Sequence, residues 1–250
     1  MRDRGYIALS FVLASLVAGC ATAPVQKQPG PKEYYNKALD ELKGGSIFGA
    51  DYEQARGTLN QIIDNYPYSA YAPLAQLRIG DSYYREGRYL ESAEAYEHFV
   101  KMYPNDDNIS YAVFMEGKSF LNNQKTWLIG SIPYDIDQTG IYNALDEFRY
   151  IADNYPSSKY APEAKKYAQK CEYTLGRYDM YVADFYIHHG YYEAAIGRLR
   201  EVYNKYPGRG LGDRALHELA GIYRRIGAQG EYRRTVELLK EAYPRSGHNK

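Results

Sequence analysis

The chain has 250 residues, enough for one large domain or two small ones, and its formal net charge is zero, with 31 Lys plus Arg against 31 Asp plus Glu. That balance argues against a nucleic-acid partner, which a basic excess would mark; with 45% apolar and 25% charged residues the chain also falls outside the disordered class. Tyrosine is unusually frequent, at 30 residues, and a large ring with a hydroxyl that tolerates a wet edge suits the half-buried positions of a thin, surface-rich fold.

The first segment reads as an address. Met1 to Arg4 is short and net positive, and Tyr6 to Val17 is an apolar run of about a dozen residues, too short to span a membrane as a helix. It ends in Val17, Ala18, Gly19 and Cys20, which resembles the bacterial lipobox. The resemblance implies a signal peptide over 1–19, cleavage before Cys20, diacylglycerol on its thiol and an N-acyl chain on its new amino group. No other cofactor is expected. Ala21 in place of an Asp favours the outer membrane by resemblance to lipoprotein sorting. Residues 20–32, with three prolines and no apolar periodicity, read as a lipidated tether.

From residue 33 to 250 the chain repeats. Tyr-Pro recurs at Tyr66-Pro67, Tyr103-Pro104, Tyr155-Pro156, Tyr206-Pro207 and Tyr243-Pro244. Proline cannot continue a helix and restricts the residue before it, so each pair is a stop signal. The expected repeats run over 33–67, 70–104, 107–156, 159–207 and 210–244. The second carries Gly80, Tyr83, Gly87, Tyr89, Ser92, Ala93 and Tyr96 before Pro104, a pattern that resembles the tetratricopeptide repeat. Gly80 lets the first helix approach its neighbour, Tyr83 is expected to fill the interhelical gap, and Gly87 ends the helix. The third repeat breaks over Asn122 to Thr139, a loop with Trp127, Ile129 and Pro133. In the fourth, Ala161 to His188 has no proline after Pro162 and only Gly176 as a weak breaker, which predicts a long helix. In the fifth, Gly230 leaves the start of the second helix open. The fold class is all-α: a superhelical solenoid of five tetratricopeptide-like helix pairs, in which stacking supplies the core.

Patterns that could carry chemistry have plainer readings. Gly117, Lys118 and Ser119 look like the end of a phosphate-binding loop, but the required glycine is Ala112 and the segment reads as helix interior, where no amides are free. His188 and His189 lack partner ligands at metal-binding spacing, as does His217. Asp106, Asp107 and Asn108 lack a calcium loop's spacing and read as a helix cap. Cys171 reads as a small buried hydrophobe. No enzyme is expected.

A more specific resemblance rests on the lipobox, the tether, the five Tyr-Pro repeats, Tyr34 to Ala38, Pro67 to Pro73 and Asn154 to Ala161. Together these are similar to the BamD family, also called ComL or YfiO, over essentially the whole mature chain. The resemblance implies a lipid-anchored scaffold of the β-barrel assembly machinery on the periplasmic face of the outer membrane. Its implied partners are the periplasmic region of BamA and unfolded outer-membrane barrel precursors, joined in some lineages by other assembly lipoproteins. A Tol-associated or secretin-assembly repeat lipoprotein keeps the same layout with a different client. By that resemblance the N-terminal repeats receive precursors. Helix positions expected on their inner face are Asp81, Tyr84, Arg85 and Lys118, with Tyr84 to stack on a terminal aromatic residue and a cation to meet a terminal carboxylate. Residues 171–250 carry thirteen Lys plus Arg against ten Asp plus Glu, and residues 20–170 carry sixteen against twenty. Arg224, Arg225, Arg233 and Arg234 lie in the basic part and are the expected partner-binding residues, a patch that suits a protein interface and equally anionic lipid heads.

Overall fold

The computed structural model describes residues 28–43, 49–124 and 137–249. Cys20 and Trp127 therefore lie outside the described residues. Among the described residues ten α-helices follow in chain order: α1 (Pro31–Lys43), α2 (Tyr52–Asn65), α3 (Tyr71–Glu86), α4 (Tyr89–Met102), α5 (Ile109–Asn123), α6 (Thr139–Asn154), α7 (Ala161–His188), α8 (Tyr192–Lys205), α9 (Leu211–Arg225) and α10 (Gln229–Ala242). Each helix packs on the one before it and the one after it; beyond these, α1 touches α3 and α7 touches α9. That nearest-neighbour pattern is an all-α solenoid of five helix pairs. Among the described residues no helix is long and apolar enough to cross a membrane.

The Tyr-Pro stops share one conformation. Tyr66, Tyr103, Tyr155, Tyr206 and Tyr243 cap α2, α4, α6, α8 and α10 with φ between −128° and −136°. Each still donates its backbone N–H to the carbonyl four residues back while the proline behind it forces ψ out of the helical region. Within the second, fourth and fifth pairs the turn is made by Gly87, Gly190 and Gly227, all near φ +80°. The next residue donates back to the carbonyl of Tyr83, Tyr186 or Tyr223 at 2.9 Å, a left-handed helix end that only glycine reaches without strain.

The cores merge across pairs. Ala38, Leu59, Ile62 and Ala75 join the first two pairs. A large central cluster runs from Leu77 through Phe99, Phe148 and Cys171 to Leu175, and Met180, Leu199, Leu216 and Leu239 form the last. Cys171 is fully buried and unpaired, and burial pushes its thiol up to about 12. The long fourth-pair helix is α7, unbroken at Gly176, where a Cβ would lie 2.7 Å from Leu211 Cδ1; the glycine serves close packing and does not end the helix.

At Gly80 a Cβ would lie 2.8 Å from Tyr96 Cε1, so α4 seats directly on the α3 backbone. Tyr96, which is fully buried, fills the gap that Tyr83 was expected to fill. Tyr83 lies further out, with the guanidinium carbons of Arg56 and Arg88 4.2 and 4.8 Å from its ring centre. The turn before α5 also differs from expectation in detail. Asn108 makes no side-chain cap; Asp106 instead accepts from the Asn108 backbone and side-chain N–H groups at 2.8 and 2.9 Å. In the fifth pair, Gly230 falls inside the first turn of α10.

Candidate interaction surfaces

The four residues expected on the inner face of the second and third pairs separate into two groups. Asp81 is 5% exposed. Its carboxylate accepts from the Tyr96 hydroxyl at 2.7 Å, from the Tyr111 hydroxyl and from the Arg78 guanidinium. It ties α3 to α4 and α5 and has no open side for a peptide. This departs from the expectation because its partners come from other helices. Tyr84, Lys118 and Asn122 do meet. Asn122 Nδ2 donates to the Tyr84 hydroxyl at 2.6 Å. The Lys118 ammonium lies 5.8 Å from both the Tyr84 and Phe114 ring centres, and Tyr89 meets Tyr84 edge-on at 5.4 Å. Burial raises the Tyr84 hydroxyl's pKa, so it stays a neutral donor. Arg85, one residue on, is exposed, with no ion-pair partner among the described residues. A half-buried ring held at its hydroxyl, next to the Lys118 ammonium, can stack an aromatic side chain and meet a carboxylate.

The C-terminal arginines are exposed, and Arg225 and Arg234 meet different partners. Arg225 Nη1 donates to the Tyr192 hydroxyl at 3.2 Å, and its guanidinium stands 5.8 Å from that ring's centre. Arg234 pairs with Glu231 at 3.1 Å. Arg224 lies between two clefts. One, of about 540 Å³, is walled by Ile187, Tyr192, Ile222 and Arg225; the other, of about 300 Å³, opens toward α10. Beside the turns of the last two pairs, Phe185, Tyr191 and Ile226 are exposed by 49%, 61% and 42%. Phe185 packs on His189 at 4.2 Å. Apolar rings among arginines are the composition of a protein-docking surface.

Sequence reasoning missed two features. Asn122, the expected start of a loop, lies in the last turn of α5 and holds the Tyr84 hydroxyl. Glu116 of α5 is 6% exposed with no hydrogen-bond or ion-pair partner among the described residues, and it faces Glu147 of α6 and Glu97 of α4. Burial, then the charge of Glu147, raises its carboxyl to about 8, and Glu147 rises to about 7. A hydrophobic pattern with one acid in it gives no sign of this, because the clash lies between helices.

The other motifs resolve into structure. Gly117 and Lys118 sit inside α5. His188 and His189 have their Nδ1 atoms 2.7 and 2.8 Å from the carbonyls four residues back. Among the described residues no group of three or more His, Cys, Asp or Glu side chains is placed to hold a metal.

Comparison with known proteins decides the family. The model of the YfiO family, described as an outer membrane lipoprotein, matches residues 27–238, from before α1 into α10. The chain belongs to the YfiO family. Its relatives include proteins named outer membrane protein assembly factor BamD. The one from Vibrio cholerae is 26% identical over 240 residues, covering 94% of this chain and 98% of the relative. That of Xylella fastidiosa is 27% identical, covering 88% and 76%. That of Neisseria meningitidis is 25% identical over 250 residues, covering 96% and 92%. The YfiO match thus takes in both surfaces, Tyr84 with Lys118 at one end and Arg224 to Arg234 at the other.

Proposed function

We propose that this member of the YfiO family is a non-enzymatic outer membrane protein assembly factor. In this reading it is a two-ended periplasmic adaptor held at the outer membrane by lipid on Cys20. The α3–α5 surface receives unfolded barrel precursors, with Tyr84 stacking a terminal aromatic residue and Arg85 or Lys118 meeting a carboxylate. The α7–α10 surface docks the periplasmic region of BamA through Arg224, Arg225, Arg233 and Arg234 and the exposed Phe185 and Tyr191. The observation that carries it is the YfiO match over 212 residues that include both surfaces. The relatives' shared name sets this reading above a Tol-associated or secretin-assembly adaptor. Capture of the full chain by immobilised, purified BamA periplasmic region is the test. Retention at low micromolar concentration is expected; no retention under low and moderate salt would remove the BamA half of the proposal.

A further inference from the structure

We propose that the cleft between α9, α10 and the C-terminal tail is a binding pocket for a phosphate group. The cleft has a volume of about 300 Å³, and its walls carry Arg224, Lys240, His217 and His248 and not one carboxylate. Four basic side chains from three segments converge there because of local structure. His217 and Arg224 are seven residues apart on α9 and share a face. Gly221 lies between them, and a Cβ there would meet only open space, so the gap is not filled. Lys240 comes from the last turn of α10. The tail is pinned: Ser246 Oγ donates to Asp213 Oδ2 at 2.8 Å, and His248 N donates to Ser246 Oγ at 3.1 Å. This sets the His248 ring on that of His217, with centres 4.5 Å apart.

Among the described residues no ion pair neutralises Arg224 or Lys240. On α9, Glu218 Oε1 pairs with Arg214 and Asp213 Oδ2 accepts from Ser246 in the tail; on α10, Glu237 and Glu241 are exposed and do not line the cleft. His217 is held below the ordinary histidine value by burial and by the positive field of His248 and Arg224. An anion in the cleft reverses that field. Two fixed cations and two imidazoles match a dianion with several acceptor oxygens better than a single carboxylate. The apolar floor of Ala220, Val236 and Leu239 leaves room for whatever carries the phosphate. That carrier is a phospholipid headgroup or a soluble phosphate. The site does not rest on the adaptor reading, and failure to bind BamA leaves it intact.

The experiment follows the His217 ring by NMR from pH 5 to 8 in the full mature chain. The probes are inorganic phosphate, monomeric short-chain phosphatidic acid and N-acetylglutamate, each against chloride at equal ionic strength. Phosphate is expected to raise the His217 pKa to the ordinary histidine value or above it, and Arg224→Gln with Lys240→Gln to abolish the effect while circular dichroism stays helical. Saturation by phosphatidic acid at a lower concentration than phosphate assigns a lipid headgroup; saturation at equal concentration assigns free phosphate. The proposal is overturned if His217 titrates identically in phosphate and chloride, if the double variant keeps the shift, or if N-acetylglutamate saturates first.

Discussion

The two ends of the solenoid hold their charged groups in opposite ways. Between α3 and α5, Asp81 spends its carboxylate on Tyr96, Tyr111 and Arg78, and Asn122 fixes the Tyr84 hydroxyl. Polar groups there lock three helices together and leave a rigid aromatic platform. Around α9 and α10 the arginines stay exposed, Arg224 and Arg225 at the end of α9 and Arg233 and Arg234 in the second turn of α10, and the cores beneath them are apolar. One end is preorganised by internal hydrogen bonds; the other keeps exposed cations, of which Arg224 and Arg233 have no ion-pair partner among the described residues. Preorganisation lowers the ordering cost of capturing a flexible segment. Free cations suit a folded, complementary surface, where charge sets orientation and on-rate.

The largest expected effect tests the middle of the stack. Glu116 and Glu147 have carboxyls raised to about 8 and about 7. The folded state therefore keeps protons that the unfolded chain has already released at ordinary carboxylate values. This stability is fully present below the unfolded value and is lost as pH rises through about 7 to 8. Stability to thermal unfolding is expected to fall from pH 5 to pH 8.5, by on the order of several kcal/mol. Glu116→Gln should remove most of that slope, raising Tm at pH 8.5 and changing little at pH 5. A variant with the wild-type slope would show that the acids find a cation or water that relieves them.

A smaller effect comes from removing the lock. Asp81→Ala leaves the buried Tyr96 hydroxyl, the partly buried Tyr111 hydroxyl and the Arg78 guanidinium without this acceptor, and is expected to cost about 3 kcal/mol, less than a fully buried pair because Arg78 is partly exposed. In a stack whose members touch only their neighbours, the loss stays local. Hydrogen exchange should accelerate in α3–α5 and remain unchanged in α9–α10; equal acceleration at both ends would erase the contrast.

What was legible in the sequence was what local chemistry dictates. The Tyr-Pro stops act through the proline's own ring, and α7 runs for 28 residues because it has no proline beyond its first turn and only Gly176 as a weak breaker. Gly80 signalled a close approach, though the ring against it is Tyr96 and not Tyr83. Asp81 was misplaced because its burial depends on residues 15 and 30 positions away. Asn122 and Glu116 were missed for the same reason. The tyrosine beneath Arg225 lies 33 positions back. Tertiary juxtaposition decides these sites, and periodicity carries no information about it. Lipidation at Cys20 falls outside the described residues.

The central claim, that the two ends do different work, is tested by measuring two affinities on two variants. One variant carries Tyr84→Ala and Arg85→Glu; the other has Arg224, Arg225, Arg233 and Arg234 all changed to Glu. Single arginine changes are too small for this purpose, since exposed charge pairs contribute only about 0–1 kcal/mol each. Each folded variant is titrated with a C-terminal barrel peptide and with the periplasmic region of BamA. The first is expected to lose the peptide and keep BamA, and the second to keep the peptide and lose BamA. Equal loss of both ligands in both variants, or no loss in either, would contradict the division of labour.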